Sequence, residues 1–343
     1  MANSDYSALK AALKSGNLAR CYIFHGEEAY LREYYTRQLR DLICDGPAGD
    51  FNYHKLPTEG LTAQAVSDAL EAMPVMAERT LVELDDFNLY GKMGEAERER
   101  WIELLSDIPD YATLLLVHDT VAWKPDRRVK KLTKAIEDNA QIVEFEKQNT
   151  RQLTEWLRRR LRPYGKTIDD ATAEYLIFRT GGGMTLLASE TDKLASYASA
   201  HEITRQDIDL VTEPVLEAQV FAIVDAIAAR KGEEALRMLR DLLTMQEEPI
   251  PILAAMGSQL RRLYAAKVLQ EEGNGVRGLM DLYKLNNYPA RKSVDSAARL
   301  PLAWCARAVE LCAETDIKLK TSYDDSERLL ELMVLQLLTE AGR

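Results

Sequence analysis

The stretch CYIFHGEEAYL, residues 21–31, joins an apolar strand to the start of a helix through a glycine, where phosphate could bind. In α/β proteins that bind ATP, such a junction carries G-x-x-x-x-G-K-[ST], whose backbone N–H groups and lysine hold the phosphates. The loop here, HGEEAY, has neither a second glycine nor a lysine. Glu27 and Glu28 stand where a polyphosphate needs positive charge, and the helix N-terminus stabilises them as it would stabilise an anion. The junction therefore predicts a protein that works by binding.

A second candidate for chemistry is the pair Asp85 and Asp86, which follows the apolar strand LVEL. Paired acidic residues at this place hold magnesium in many ATPases, but aspartates after a strand are also ordinary turn residues. Because a phosphate-binding lysine is absent, the turn interpretation is favoured. The chain has no Ser-His-Asp or Cys-His constellation, so we expect no intrinsic catalytic activity, no cofactor and no metal.

Composition narrows the class of protein further. The chain has 343 residues and a formal net charge of −11, which argues against broad coating of nucleic acid but allows local basic contacts. The four cysteines form no C-x-x-C pair, and the four histidines are scattered without zinc spacing. No apolar run approaches the roughly 18 residues that a membrane span needs. The N-terminus lacks the apolar core of a signal peptide, so we expect a cytoplasmic protein with no membrane partner.

Strand and helix signals alternate over the first 146 residues. The predicted strands are Tyr22–Phe24, Phe51–Lys55, Thr80–Leu84, Thr113–Val117 and Gln141–Phe145. The predicted helices between them are Tyr30–Asp41, Ala63–Met73, Glu95–Leu105 and Arg128–Asp138. Such an alternation predicts a largely parallel sheet with helices on both faces.

Strand signals stop at about Asn149, and helical patterns continue to the end of the chain. Asn149 or Thr150 caps a first helix, the triple glycine 181–183 separates two more, and Thr204 opens a short fourth one. Further on, Pro249 and Pro251 are expected to break a helix that resumes at Ile252. We therefore predict three domains: an α/β domain (1–146), a small helical lid (147–212) and a helical C-terminal domain (213–343).

The chain resembles the delta subunit family of the bacterial DNA polymerase III clamp loader. Six segments carry this resemblance in the same order along nearly the whole chain: YIFHGEEAYL, EAMPVMAERTLVEL, KPDRRVKKL, GGGMTLLASETDKLASYA, FAIVDAIAARKGEEALRMLRDLL and DIKLKTSYDDSERLLELMVLQL. The resemblance implies an AAA+-like α/β domain (a RecA-like parallel sheet) without a P-loop, a helical lid, and an all-α collar that serves oligomerisation.

The resemblance also implies partners and a function. Family members lack ATP hydrolysis and join a pentamer with the gamma or tau ATPase subunits and the delta-prime subunit. They bind the ring-shaped beta sliding clamp and help to open one interface, so that the ring can encircle primed DNA.

The segment from Met73 to Arg79 is the candidate contact with a partner. Val66, Leu70 and Met73 are predicted to form the apolar stripe of one helix, and Pro74 restricts the residue before it towards extended geometry. An unbranched methionine beside Val75 can fill an irregular apolar pocket on another protein, although such residues more often close a core. The resemblance places the family's clamp-binding wedge on Val75 and Met76, with Met73 and Pro74 beside them. Other members carry a bulkier Leu-Phe or Phe-Phe pair there.

Basic residues fall into three clusters, at 124–134, 158–162 and 261–267, and most such runs are solvated helix faces. The loop at Tyr323 is a further candidate, because its ring could stack on an unpaired base while Lys318 and Lys320 meet phosphates. In the family this loop lies near the exit of the template strand.

Two alternatives remain open from the sequence. One is an active AAA+ ATPase of replication or repair, which would use Asp85 and Asp86 with an unconventional phosphate loop. The other is a helical adaptor that binds DNA repair or initiation proteins without binding the clamp.

Overall fold

The computed structural model describes residues 6–46, 48–322 and 324–341. The chain divides into two compact units, Met1–Gln148 and Asn149–Arg343, and each is described by itself.

The first unit is built on a five-stranded parallel sheet with the strand order β2-β3-β4-β1-β5. Its strands are β1 (Cys21–His25), β2 (Tyr53–Leu56), β3 (Thr80–Asp85), β4 (Ala112–Val117) and β5 (Gln141–Glu144). The central strands are buried along almost their whole length, as continuous apolar runs such as ATLLLV require in a sheet covered on both faces. The carboxyl ends of β3, β4 and β1 therefore lie side by side, at the edge where such sheets bind ligands.

In the described part of this unit, five α-helices accompany the sheet: α1 (Tyr6–Ser15), α2 (Ala29–Ile43), α3 (Ala63–Leu70), α4 (Glu95–Ser106) and α5 (Lys130–Asn139). One face of the sheet packs with α3, α4 and α5 around the fully buried Trp101. The alternation of strands and helices that the sequence predicts is confirmed, with shifts of a few residues at the element ends.

Two sequence predictions in this unit are wrong. Phe51 and Asn52 do not begin β2, since they lie in a short 3₁₀ helix, Gly49–Asn52, that precedes the strand. Helix α3 ends at Leu70, so Met73 is not part of its apolar stripe and is exposed. Pro74 contributes to the early end, because it disfavours helical geometry at Met73 and has no N–H to donate to the Leu70 carbonyl.

The second unit is entirely helical apart from one isolated bridge between Thr167 and Glu202, within the described residues. Its first helices are α6 (Thr150–Leu161), α7 (Asp170–Arg179), α8 (Met184–Tyr197) and α9 (Arg205–Val211). Asn149 caps α6 and Thr204 caps α9, each through a reciprocal capping box. Both start signals predicted from the sequence are thereby confirmed.

The remaining helices are α10 (Leu216–Ala228), α11 (Gly232–Thr244), α12 (Pro249–Glu271), α13 (Gly275–Tyr283), α14 (Asn287–Ala298), α15 (Leu302–Thr321) and α16 (Ser326–Ala341). They share one apolar core, which includes Cys305 and Cys312 as buried free thiols. The break that the sequence predicted before Ile252 is present, but it lies between Thr244 and Pro249, so Pro249 starts α12 and does not belong to the break. A proline at the first helical position lacks only an N–H that would have no partner within the helix.

The architecture confirms the predicted fold class, a parallel α/β domain followed by an all-α region. Among the described residues, no helix combines the length and the apolar character needed to cross a bilayer.

Candidate functional site

The loop after β1, where a phosphate cradle would lie, is closed by the protein's own backbone. Gly26 has φ +119°, and a Cβ atom placed on it would lie 2.3 Å from the carbonyl oxygen of Phe145. Phe145 donates its N–H to the His25 carbonyl at 2.7 Å and accepts the N–H of Glu28 at 2.9 Å. The segment after β5 therefore runs against the loop and engages the Glu28 N–H, just before the start of α2.

The charged groups at this loop are also engaged within the chain. Arg32 is buried, donates to the Gly26 carbonyl at 2.6 Å and pairs with Asp119. Glu28 is buried at the start of α2, and burial raises the pKa of its carboxyl, although the Tyr30 N–H and the cations Lys147 and Arg32 act in the opposite direction. The Glu28 N–H and the Arg32 guanidinium are thus both committed to contacts within the chain.

Asp86, at the carboxyl edge of the sheet, holds the loop that follows β4. It has φ +54°, a conformation that aspartate tolerates better than most residues. One carboxylate oxygen accepts the N–H groups of Asp119, Thr120 and Val121 at 2.7–3.0 Å, and the other accepts the Thr120 hydroxyl at 2.6 Å. Asp85 instead pairs with Lys55. These contacts support the turn interpretation for Asp86, whereas Asp85 is the last residue of β3.

Partial burial acts to raise the pKa of Asp86, but the hydrogen bonds from Thr120, Val121 and Asp119 outweigh it and lower the pKa below 3.8. We therefore expect Asp86→Ala to destabilise the first unit by about 1–3 kcal/mol at pH 7, because several N–H donors lose a charged partner. A depressed folded pKa contributes stability above the unfolded value of 3.8, and this contribution is lost as the pH falls through the folded pKa.

Urea unfolding followed by peptide-resolved hydrogen exchange at pH 7 and at successively lower pH would measure the Asp86 contribution. The difference between wild type and Asp86→Ala should shrink below pH 3.8, whereas the exposed Asp45→Ala control should stay near wild type throughout. Equal stability of Asp86→Ala and wild type at pH 7 would contradict this role.

An apolar loop between α3 and β3 carries the residues that the sequence singled out for partner binding. Met73, Val75 and Met76 have exposed fractions of 71%, 45% and 93%. Met76 also has φ +52°, a left-handed conformation that is uncommon for residues other than glycine. None of these three side chains lies in the core, although apolar residues of this kind more often pack there. The loop instead presents consecutive large apolar side chains to solvent.

This loop is held at three points, at Glu71 and Val75 through their backbone groups and at Arg79 through its guanidinium. Glu71 accepts the Tyr111 hydroxyl at 3.3 Å through its carbonyl, and Arg79 donates to the Thr113 hydroxyl at 3.0 Å. Between them, Asn52 accepts the Val75 N–H at 2.7 Å and donates to the Val75 carbonyl at 2.9 Å. The exposed apolar side chains are therefore carried by an anchored backbone.

Sequence reasoning missed Asn52. It precedes Val75 by 23 residues, and a lone asparagine before a strand carries no local signal of such a contact. The neighbouring Phe51, which the sequence placed in a strand, has an exposed fraction of 69%. The segment before β2 thus adds another exposed apolar side chain and the amide that holds the loop.

The residues considered for DNA contact are only partly described. Lys318 and Lys320 are exposed in the last turn of α15, and Lys320 pairs with Asp316 at 2.6 Å. Tyr323 lies outside the described residues. Several members of the basic clusters have acidic partners in their own unit, such as Arg158 with Asp170 and Arg160 with Asp192.

Known proteins and protein-family models match residues in both units of the chain. The family model described as DNA polymerase III, delta subunit, matches residues 22–146, and the model for the C-terminal domain of that subunit matches residues 217–337. A DNA polymerase III subunit delta of Bacillus subtilis is 30% identical over 338 residues, which cover 95% of each chain. A probable DNA polymerase III subunit delta of Aquifex aeolicus is 24% identical over 78% of this chain and 76% of the relative.

A solved structure of a delta protein also matches this chain. The Bacillus subtilis DNA clamp loader delta protein superposes with a TM-score of 0.59 at 26% sequence identity, covering 97% of this chain and 99% of the other. The similarity therefore extends over both units in sequence and in fold.

Proposed function

The chain belongs to the DNA polymerase III delta subunit family, a component of the replication clamp loader, and from this premise we propose that it binds the beta sliding clamp and helps to open the ring. The observation that carries this proposal is the anchored apolar loop at Met73, Val75 and Met76. Proteins rarely hold several large apolar side chains in solvent unless a partner covers them.

The loop suits a wedge that enters an apolar pocket of the ring. Val75 and Met76 point away from their own core, and the flexible thioether of methionine adapts to irregular pockets. Met73 and Pro74 flank this pair. Because the pair is smaller than the Leu-Phe or Phe-Phe of other members, we expect the same location with less buried apolar area.

Binding of the purified chain to the beta clamp of the same organism tests the proposal directly. Co-elution on gel filtration and a saturable surface-plasmon-resonance signal are the expected results. If the chain is instead a helical adaptor that does not bind the clamp, the clamp will elute alone, and that outcome would overturn the proposal.

We further propose that the chain consists of three parts, which divide at residues 146 and 212, and that each part has its own function. The α/β part contacts the clamp, the lid follows it, and the collar assembles with the gamma or tau ATPase subunits and delta-prime in a pentamer that loads primed DNA. Such a subunit would act in the cytoplasm, where the chromosome is replicated.

Purified protein should bind and hydrolyse no appreciable ATP. The loop after β1 has no Gly-Lys-Ser/Thr, Phe145 closes it, and Arg32 is committed to Gly26 and Asp119. These contacts favour a non-catalytic subunit over the active ATPase considered from the sequence. Titration calorimetry measures the binding, and micromolar affinity for ATP that Asp85→Ala abolishes would restore the ATPase alternative.

Tyr323→Ala should lower clamp loading on primed DNA while leaving clamp binding by the isolated subunit unchanged. Stacking of an unpaired base on an aromatic ring contributes roughly 1–3 kcal/mol, and Lys318 and Lys320 precede the tyrosine at the end of α15. A loading assay beside a clamp-binding assay separates the two effects. Equal loss of both activities would mean that Tyr323 stabilises the collar and does not contact DNA.

A further inference from the structure

The apolar loop has a backbone conformation that its own sequence does not favour. Met76 lies in the left-handed region, where a residue with a side chain typically costs of order 1–3 kcal/mol and persists only when its surroundings impose it. The residue immediately before it, Val75, has both its N–H and its carbonyl bonded to one side chain, Asn52. The hydrogen bonds that oppose relaxation of the loop therefore come from outside the loop.

Asn52 is well placed to impose this conformation. Its exposed fraction is 1%, and its amide also donates to the Ala48 carbonyl at 3.2 Å, so both ends of the amide are used. The turn that carries it is tightly packed, because a Cβ atom on Gly49 would lie 2.0 Å from the Cys44 carbonyl oxygen. A buried carboxamide on such a turn has little freedom to follow the loop if the loop moves.

Only a carboxamide of this length satisfies the arrangement. An aspartate keeps an acceptor for the Val75 N–H but places a carboxylate oxygen against the Val75 and Ala48 carbonyls, where Asn52 now donates. An alanine leaves the Val75 N–H and both carbonyls without this partner. Alanine removes all of these bonds and aspartate replaces the bond to the Val75 carbonyl with repulsion, so each change weakens the restraint on the backbone without altering an apolar side chain of the loop.

We propose that Asn52 is a positioning residue for the clamp contact, which holds the backbone of Val75 so that the side chains of Val75 and Met76 stay extended into solvent before the ring arrives. This inference rests on the proposed function. Its physical reason is preorganisation, because a loop that is already ordered loses less conformational entropy on binding than one that must be ordered by its partner.

A double-mutant cycle on clamp affinity tests the proposal, with Asn52→Ala, the pair Val75→Ser and Met76→Ser, and all three changes together. We expect Asn52→Ala to weaken clamp binding about tenfold, the scale of ordering a few loop residues. In the background of the two serine substitutions the same change should have almost no further effect, since there is no longer a wedge to position. Hydrogen exchange should show faster exchange of the Val75 amide in Asn52→Ala.

The matched control is Asn139→Ala, which removes a single hydrogen bond to the Ala135 carbonyl on the surface of α5 and should leave clamp affinity unchanged. If Asn52→Ala does not fold, Asn52→Asp takes its place in the same cycle, because it retains the volume of the side chain but loses the bond to the Val75 carbonyl.

The outcomes separate this inference from the function on which it rests. If the two serine substitutions leave binding intact, the wedge itself is wrong. Two other results would overturn the positioning role alone, provided that the serine substitutions do weaken binding. One is an Asn52 variant that binds like wild type. The other is an Asn52 substitution that weakens binding equally in the wild-type loop and in the loop with two serines.

Discussion

Replacing both Val75 and Met76 with serine should weaken binding of the sliding clamp by several kcal/mol and leave the chain folded. Buried anchors at protein interfaces contribute ~2 kcal/mol or more each, so the dissociation constant should rise at least about a thousandfold. The cost to folding should be small because these side chains are 45% and 93% exposed in the free protein. Surface plasmon resonance gives the affinity, and circular dichroism during thermal unfolding reports the fold.

Leu42→Ser is the matched control, because Leu42 lies on α2 of the same unit with an exposed fraction of 44%, close to that of Val75. It should bind the clamp like wild type. Normal clamp binding by the Val75 and Met76 double variant would show that these residues do not form the wedge. Unfolding of that variant would show that they stabilise the fold.

Gly26→Ala should destabilise the first unit by about 3 kcal/mol or more, the sum of left-handed backbone strain and overpacking. Its φ of +119° is accessible to glycine but strained for alanine, and the added Cβ would meet three backbone atoms of Phe145 within 2.7 Å. A backbone neighbour cannot rotate away as a flexible side chain can. The unfolding free energy of the first unit, followed in urea by hydrogen exchange of β1 and β5 peptides, measures the effect.

Gly94→Ala provides the comparison within the same unit. Gly94 has φ −66°, and a Cβ atom there would meet nothing within 4 Å. The unfolding free energy of the first unit should therefore change by less than about 1 kcal/mol in Gly94→Ala. If Gly26→Ala were equally mild, the loop after β1 would be able to move away from Phe145, and the closure of the phosphate position would have to be abandoned.

Much of the fold follows from local patterns. Apolar runs such as ATLLLV and the helical spacings between them predict all five strands and their order along the chain, because a strand buried on both faces needs a continuous apolar run. Caps at Asn149 and Thr204 depend on residues three apart, so the sequence contains the whole interaction.

Predictions failed where a local signal had two physical meanings. Phe51 belongs to a strand-like run of aromatic residues, yet the turn at Gly49 places it in a 3₁₀ helix with its ring exposed. Met73 keeps helical spacing from Leu70, but Pro74 ends the helix before it. Pro249 is equally compatible with a helix breaker and with a first helical residue, and packing of α12 into the C-terminal core selects the second.

The sequence by itself determined that the junction after β1 lacks the lysine and second glycine of a phosphate loop, and that an apolar segment follows α3. These are statements of residue type, which need no coordinates. Only the tertiary structure decided that Phe145 closes the junction, that Asp86 holds the loop after β4, and that Asn52 anchors Val75. The physical reason is that each of these contacts joins backbone groups to residues distant in sequence, and only the completed sheet brings them within hydrogen-bond distance.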